Sequence, residues 1–537
     1  MIKQLKLLLS SFPLIILYIM ILIFPEDSFH YARVISIFLS GISILGFYIS
    51  FWNKYGGKWF FFFPISLVHS YFLFYSIGNS LMQNFMGRPF SFIDTVYLND
   101  LYHLLSDSYG LVSAVLVTAL IILIPILLIF SNYTFYKEVG KLWLNSGYRK
   151  LSWLITIGIG LLVVILSLSS SDKIWMPGIS ETKNILTLSS QKQEIAGNLE
   201  KETVRRAETI LEQSVEAYPL DKLNGYNVFV FIIESYGRTL FENPDNWIIA
   251  KPKFEQFEKN LKTAGYTMAS SSLVSPAIGG NSWLADSTFN SGVWVKDQTV
   301  YDELIQSKLP VLGTYFKDAG YRTVIAQPGM KTSGDEEYFY NFDKTYNLSD
   351  FEYEGPSFVW ATMSDQYVVD FIHRKEVKEG QKPLFAQYVL VSSHFPFQLI
   401  PAYIKDWSLL EGGTIYNQEN MIRRLPIPRG KKTAGPYGLT IALLYTMEVL
   451  TEYLIDHLEN PGLVIILGDH QPYSKVTGPF GGRQVAIHIL SKETSLIEPF
   501  IRRGYTEGLV SPATESTMRM DKFLPDFLND FSSDPTF

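Results

Sequence analysis

The stretch that decides the fold is VFVFIIES, residues 228–235. Six consecutive β-branched or aromatic residues predict a short strand that is buried on both faces, as in a parallel sheet. This strand leads directly into a carboxylate, Glu234. A second stretch, LVIILGDH at residues 463–470, repeats the arrangement and ends in Asp469 and His470. Both stretches therefore predict buried strands with polar groups at their carboxyl ends.

Short apolar runs and helix-like stretches alternate over residues 225–537. The strand-like runs are 228–233, 321–327, 384–391, 463–467 and 485–490, and the helix-like stretches include 253–264, 309–319, 363–376 and 439–459. Strands that alternate with helices predict an α/β domain with a mostly parallel sheet and helices on both of its faces. In such a domain the ligand site lies outside the carboxyl ends of the strands.

Three of the predicted strand ends carry groups that bind metals or move protons. Glu234 follows the first strand, Asp469 and His470 follow the fourth, and His394 follows the third. Taken singly, Glu234 fits a solvated strand end, Asp469 and His470 fit a turn, and His394 fits a loop. Their joint order favours one site, and oxygen and nitrogen ligands suit a hard or borderline divalent cation.

A glycine-rich segment, GGNS at residues 279–282, is a candidate anion-binding segment. Paired glycines let backbone amides approach an anion, and Ser282 stands where a helix would begin. The simpler interpretation of Ser282 alone is a helix cap.

The composition excludes several classes of protein. The chain has 537 residues, of which 47% are hydrophobic and only 18% are charged. Its mean hydropathy of +0.12 argues against a disordered chain and against a wholly soluble one. Because there is no cysteine, a disulfide framework, an iron–sulfur cluster and a cysteine nucleophile are excluded.

Five apolar stretches are long enough to cross a membrane, namely 7–25, 34–52, 59–82, 110–131 and 152–170. Lysine and arginine cluster before the first stretch, between the second and third, and between the fourth and fifth. Because basic residues are retained in the cytoplasm, this pattern places the N-terminus inside and residues 171–537 outside.

The predicted organisation is therefore a five-span α-helical membrane domain over 1–171, linker helices over 172–224 and an extracytoplasmic domain over 225–537. His69, inside the third span, is either a functional residue or a neutral imidazole bonded to a neighbouring helix.

The charge distribution argues against nucleic acid as a partner. Residues 1–170 carry a formal charge of +4 and residues 171–537 carry −11. Neither part shows the basic patch that nucleic-acid binding requires.

These features resemble the lipoteichoic acid synthase type of phosphoglycerol transferase, in the alkaline phosphatase/sulfatase superfamily. The resemblance covers nearly the whole architecture, but its motifs lie at 232–235, 280–282, 392–396 and 468–470. It implies an alkaline phosphatase/sulfatase-like catalytic domain over 225–537.

The resemblance also implies the roles of the site residues. Glu234, Asp469, His470 and Ser282 would hold one divalent metal ion, with Mn²⁺ favoured and Mg²⁺ or Zn²⁺ as alternatives. Ser282 would be the nucleophile, and His394 would act as a catalytic residue beside the substrate.

The chain departs from the family pattern in two places. Ser282 lacks the Cys/Ser-x-Pro-x-Arg setting in which formylglycine is made, which disfavours sulfate-ester cleavage. The segment 327–335 lacks the histidine, tryptophan and arginine that contact glycerophosphate in the synthases. Lys331 in this segment is a candidate phosphate-binding residue, with a plain surface lysine as the alternative.

The implied function is metal-dependent transfer of a phosphoglycerol- or phosphoethanolamine-type group through a phospho-seryl intermediate. The donor would be a membrane phospholipid, and the acceptor a glycan or lipid of the envelope. The protein would be a multi-pass protein of the bacterial cytoplasmic membrane with its catalytic domain in the periplasm or outside the cell. The alternatives are a phosphate mono- or diester hydrolase that uses the same site, and a non-catalytic envelope scaffold.

Overall fold

The computed structural model describes residues 63, 66, 67, 70, 78, 111–144, 218–331, 335–358, 361–378, 380, 382–426, 435–510 and 518–533. The chain divides into two compact units, one made of Met1–Gln83 and Arg88–Gln193 and the other of Asn84–Gly87 and Glu194–Phe537. The predicted spans 7–25, 34–52 and 152–170, His69 and most of the linker lie outside the described residues.

Helix α1, Leu111–Leu144, is the long apolar helix of the first unit. Its 34 residues span about 51 Å, which exceeds a hydrocarbon core of about 30 Å. The segment Val115–Thr134 has a mean hydropathy of 2.7, and only 12% of its most apolar window is buried. Among the described helices, one other segment passes the same test of length and composition, Gly435–His457. That segment is 78% buried, as expected of a core helix.

The second unit is built on an eight-stranded sheet. Its strands are β1 (Val228–Ile233), β2 (Thr267–Val274), β3 (Arg322–Gln327), β4 (Lys344–Asn347), β5 (Leu384–Leu390), β8 (Leu463–Gly468), β9 (Gln484–Ser491) and β10 (Thr506–Glu507). They lie in the order β10-β2-β9-β8-β1-β5-β3-β4. A separate two-stranded sheet pairs β6 (Leu399–Pro401) with β7 (Ile422–Arg424). The five strands from β8 to β4 are parallel, and β9, β2 and β10 add antiparallel pairings at one side.

Helices cover both faces of the sheet. They are α2 (Thr239–Glu242), α3 (Pro244–Thr263), α4 (Ser282–Ser291), α5 (Gln298–Ile305), α6 (Leu312–Asp318), α7 (Asp335–Tyr340), α8 (Asp365–Ile372), α9 (Gly435–Glu452), α10 (Ser474–Thr477), α11 (Glu498–Arg502) and α12 (Phe523–Phe531). One-turn π-helices, His373–Val377 and Tyr453–His457, extend α8 and α9. Short 3₁₀ segments occupy Asp221–Leu223, Leu348–Phe351, Trp407–Asn417, Glu419–Met421, Gly478–Phe480, Thr494–Leu496 and Met520–Lys522.

The alternation of side chains along β1 builds two hydrophobic cores. Phe229, Phe231 and Ile233 point into a core shared with α3, α8 and α9. Val228, Val230 and Ile232 point into a core shared with α4, α6 and α12. Both faces are therefore covered, as the apolar run at 228–233 predicts.

The predicted α/β domain is confirmed, with three strands of the eight-stranded sheet, β2, β4 and β10, that the sequence pattern did not indicate. All five predicted strands are present, and β9 runs antiparallel to β8. The longest of the missed strands is β2, whose sequence TMASSSLV contains three buried serines. Ser270 is held by hydrogen bonds to His488 Nδ1 and the Gly508 carbonyl oxygen. These partners lie far away in the sequence, so the local pattern of apolar residues does not indicate this strand.

Candidate active site

The ends of β1 and β8 bring three of the predicted ligands together. Ile233 pairs with Gly468 in parallel register, so Glu234 and Asp469 leave the sheet side by side. One ligand atom each from Glu234, Asp469 and His470 lies within 4.8 Å of the others, and all three residues are buried.

Backbone groups fix the orientation of Asp469. Its Oδ1 accepts hydrogen bonds from the amides of Ser235, at 2.8 Å, and His470, at 2.6 Å. Gly468 permits this close approach, because a β-carbon there would lie 2.1 Å from the Tyr236 carbonyl oxygen. The amides occupy Oδ1, while Oδ2 lies 3.5 Å from His470 Nε2.

Ser282 meets this cluster from the start of α4. Its Oγ donates a hydrogen bond to Glu234 Oε2 at 3.1 Å and lies 3.3 Å from His470 Nε2. Asn281, with a φ of 64°, occupies the cap position of the helix, and Ser282 is the first helical residue. The interpretation of Ser282 as a helix cap is therefore wrong.

The donor set fits a cation at its centre. His470 Nδ1 lies 2.9 Å from the Gln471 carbonyl oxygen, which can only accept a hydrogen bond. In the neutral ring the proton therefore sits on Nδ1, and the Nε2 lone pair is directed toward Glu234 Oε1 at 3.4 Å and Asp469 Oδ2. Lone pairs on three neighbouring ligands repel one another unless a cation lies between them. Carboxylate and imidazole ligands suit Mn²⁺, Mg²⁺ and Zn²⁺.

The electrostatics of the cluster agree with this fit. Burial and the charge of Glu234 raise the pKa of Asp469. Burial opposes protonation of His470, but the charges of Asp469 and Glu234 outweigh it and raise the pKa of that imidazole. Crowded buried carboxylates of this kind are stabilised by a bound cation.

His394 lies in the loop after β5 and interacts electrostatically with His470 and Asp469. Its imidazole is half-buried, and the loss of solvation lowers its pKa to about 4. Nδ1 lies 2.8 Å from the Phe395 carbonyl oxygen, so the neutral ring carries its proton on Nδ1. Nε2 is then a proton acceptor, and the ring is neutral at physiological pH.

Part of this site lies in a region that matches a known protein family. Residues 285–488 match the protein-family model described as Sulfatase. The chain contains a sulfatase domain. The match includes His394, Asp469 and His470, and it confirms the predicted alkaline phosphatase/sulfatase superfamily of phosphotransferases and hydrolases.

Solved structures that are similar to the sulfatase domain include three bacterial proteins. Lipoteichoic acid synthase LtaP from Listeria monocytogenes is 15% identical over 58% of this chain and 81% of its own, with a TM-score of 0.36. The phosphoglycerol transferase GacH from Streptococcus pyogenes, solved with sn-glycerol-1-phosphate, is 14% identical over 60% and 91%, with a TM-score of 0.35. The C-terminal periplasmic domain of EcEptC from Escherichia coli, in complex with Zn, is 17% identical over 50% and 72%, with a TM-score of 0.33. No curated protein matches the chain.

Two residues that support the sulfatase-domain site were absent from the sequence prediction. Ser393 Oγ donates a 2.6 Å hydrogen bond to the Glu234 carbonyl oxygen and so links the His394 loop to the end of β1. Asp365, at the start of α8, accepts hydrogen bonds from the amides of Val391 and Ser392 at 3.0 and 2.9 Å. The sequence offered a weak signal for the first of these, the serine pair that precedes His394.

Lys331 is exposed in the turn after β3. In the sheet, β5 separates β3 from β1, whose end carries Glu234. Lys331 therefore follows a strand that lies two positions from β1 in the sheet, and its phosphate-binding role stays a prediction.

Three further histidines of the sulfatase domain make structural contacts. His488 lies between Tyr236 and Ser270, and burial lowers its pKa to about 3. His373 bonds to Tyr453, and the His457 ring stacks on Trp407 with a centroid distance of 4.1 Å.

Proposed function

We propose that this protein transfers a phospho-substituent from a membrane phospholipid to a glycan or lipid of the bacterial envelope. The observation that carries the proposal is the position of the Ser282 hydroxyl. It lies at the N-terminus of α4, within hydrogen-bonding distance of both Glu234 and His470. A helix N-terminus favours an approaching phosphate, and the flanking groups suit a cation that would activate the hydroxyl.

Glu234, Asp469, His470 and Ser282 are the residues that would hold one divalent ion. When bound, this ion would lower the pKa of the Ser282 hydroxyl and offset charge on the phosphoryl oxygens. Mn²⁺ is proposed first, and Mg²⁺ and Zn²⁺ accept the same donors.

The chain's own residues support a two-step transfer. In the first step a bond forms between Ser282 Oγ and phosphorus, while the bond from phosphorus to the lipid oxygen breaks. In the second step an acceptor hydroxyl attacks phosphorus and releases Ser282. The neutral His394 starts as a proton acceptor at Nε2. In the first step it takes the proton of the Ser282 hydroxyl and passes it to the leaving lipid oxygen, and in the second step it takes the proton of the acceptor hydroxyl and returns it to Ser282 Oγ. A ring with a pKa of about 4 carries no second proton at neutral pH, so it can protonate a leaving oxygen only after it has accepted that proton.

The proposed location is the bacterial cytoplasmic membrane, with five spans and the sulfatase domain outside the cytoplasm. The basic loops of the sequence and the exposed apolar surface of α1 support it. A domain held at the outer surface of the membrane would meet a phospholipid donor there.

The test is mass spectrometry of Ser282 after incubation of the purified full-length protein with Mn²⁺ and phospholipid vesicles. A modified Ser282 peptide is expected, and its added mass identifies the transferred group. Ser282→Ala should reduce turnover to background without lowering the melting temperature, and Ser282→Thr should retain activity because its hydroxyl is kept.

The matched control is Ser287→Ala in the same helix. Ser287 Oγ bonds to the Trp283 and Leu284 carbonyl oxygens, so its loss should leave turnover intact. Normal turnover in Ser282→Ala would refute the covalent mechanism. Modification of Ser282 followed only by release to water would indicate the hydrolase, and no modification with any donor would indicate the scaffold.

A further inference from the structure

Asp286 lies one helical turn after Ser282 on α4. Residues four apart share a helix face, and they are separated by about 5.4 Å along the axis. Ser282 contacts Glu234, and the charges of Asp469 and Glu234 both act on Asp286. The Asp286 carboxyl group therefore lies beside the cluster of Glu234, Asp469 and His470, on the same face of the helix as the candidate nucleophile.

The hydrogen bonding of Asp286 is incomplete among the residues that the structure describes. Its Oδ1 is enclosed by protein and has no hydrogen-bond partner there. Its Oδ2 is not enclosed in this way, and the residue is only part-buried, so another molecule can still reach the carboxyl group there. A buried carboxyl group with an unmade hydrogen bond is destabilised, so a ligand that donates to its accessible oxygen is favoured.

The charges around Asp286 indicate which kind of hydrogen-bond donor would suit its carboxyl group. Glu234 and Asp469 together balance the two positive charges of a divalent ion, and an ionised Asp286 adds a negative charge beyond them. Burial, together with the charges of Asp469 and Glu234, raises the pKa of Asp286, so its ionised form needs a positive partner. Both groups that act on it electrostatically are carboxylates. An arriving phosphate adds further negative charge, so a substrate that brings its own cation is favoured at Asp286.

We propose that Asp286 binds the ammonium group of the donor, so that the transferred group is phosphoethanolamine rather than phosphoglycerol. This inference rests on the proposed function. The O–C–C–N chain of ethanolamine has the length to reach from a phosphorus at Ser282 to a carboxylate one turn along the helix. Glycerol hydroxyls can also bond to a carboxylate, but a charge-assisted hydrogen bond is about twice as strong as a neutral one.

The experiment compares phosphatidylethanolamine and phosphatidylglycerol vesicles as donors for the full-length protein with Mn²⁺, and it measures release of diacylglycerol. The unmodified protein should prefer phosphatidylethanolamine at least tenfold. Asp286→Asn should lower the rate with phosphatidylethanolamine at least tenfold and leave the rate with phosphatidylglycerol equal or higher. Asp286→Glu should keep the preference. The control is Asp302→Asn, an exposed position on α5 whose carboxylate bonds to Gln298, and it should change neither rate.

Failure of this inference differs from failure of the proposed function. An equal loss with both donors in Asp286→Asn, or a preference of the unmodified protein for phosphatidylglycerol, overturns headgroup binding and leaves transfer through Ser282 intact. No release from either donor overturns both. If Asp286→Asn does not fold, competition on the unmodified protein decides: soluble phosphoethanolamine should inhibit more strongly than glycerol phosphate, and equal inhibition overturns the inference.

Discussion

At the scale of single residues, backbone groups hold the site side chains in place as much as other side chains do. The Asp469 carboxylate is held by two amides, and the chain can approach them only because residue 468 is glycine. Its second oxygen is thereby held beside His470 Nε2, at 3.5 Å. Ligands that are oriented before binding lose little conformational freedom when a metal arrives, so we expect tight binding of one ion.

Glu234→Gln tests the metal at the residue scale. The change removes one negative charge from the cluster and should weaken Mn²⁺ binding at least tenfold, as measured by isothermal titration calorimetry. The unmodified protein should gain about 2.7 kcal/mol of stability when free Mn²⁺ is 100 times its dissociation constant, and the variant should gain less. Glu255→Gln, an exposed position on α3, is the charge-matched control. Equal Mn²⁺ affinity in Glu234→Gln and the unmodified protein would show that Glu234 is no ligand.

At the scale of elements, Asp365 connects the strand end that carries His394 to two helices. It accepts from the Val391 and Ser392 amides through Oδ1 and from Thr446 Oγ1 through Oδ2, at 2.6 Å. Thr446 belongs to α9, so a single buried carboxylate connects β5, α8 and α9. Burial raises its pKa and these donors oppose the shift.

Asp365→Ala leaves buried donors without an acceptor, so we expect a loss of about 3–5 kcal/mol in the free energy of unfolding. Turnover per folded molecule should also fall, because the His394 loop loses its anchor. Denaturant unfolding and activity normalised to folded protein measure the two effects. Asp302→Ala, on the exposed face of α5, should stay within about 0.5 kcal/mol of the unmodified protein. If Asp365→Ala retained both stability and turnover, the carboxylate would have no such connecting role.

At the scale of the whole molecule, the chain joins an apolar unit to an acidic one. Residues 1–170 are basic overall, and residues 171–537 carry a formal charge of −11. Helix α1 continues past its apolar segment to Leu144, so Lys137 and Lys141 extend the helix rather than form a loop. Basic residues that follow an apolar segment favour a cytoplasmic position for this end of α1.

Topology reporters test this arrangement. A fusion after Asp172 should be active only outside the cytoplasm, and a fusion after Leu144 only inside, because the basic residues hold their side in the cytoplasm. A phosphatase reporter and a fluorescent-protein reporter are each fused at both positions. The two reporters are active on opposite sides of the membrane, so each fusion that is silent with one reporter should be active with the other, which controls for expression. The reverse pattern would contradict the five-span arrangement and the extracytoplasmic site together.

The sequence by itself determined the α/β class, the five predicted strands and the placement of Glu234, Asp469, His470 and Ser282 at one site. The sequence predicts these features because a parallel strand that is buried on both faces is a continuous apolar run. The polar site residues directly follow such runs. The superfamily followed from the same local motifs.

Only the tertiary structure decided which polar groups act on one another. Strand β2 escaped prediction because it is polar in sequence, and its buried Ser270 is satisfied by groups more than 200 positions away. Burial lowers the pKa of His394, and a carbonyl contact that no spacing predicts decides which ring nitrogen carries the proton. Asp286 lies within a few residues of Ser282, yet its relation to Glu234 and Asp469 depends on how α4 packs beside two strand ends. Local patterns encode burial and periodicity, whereas long-range contacts set the charge around each group, and that charge decides its chemistry.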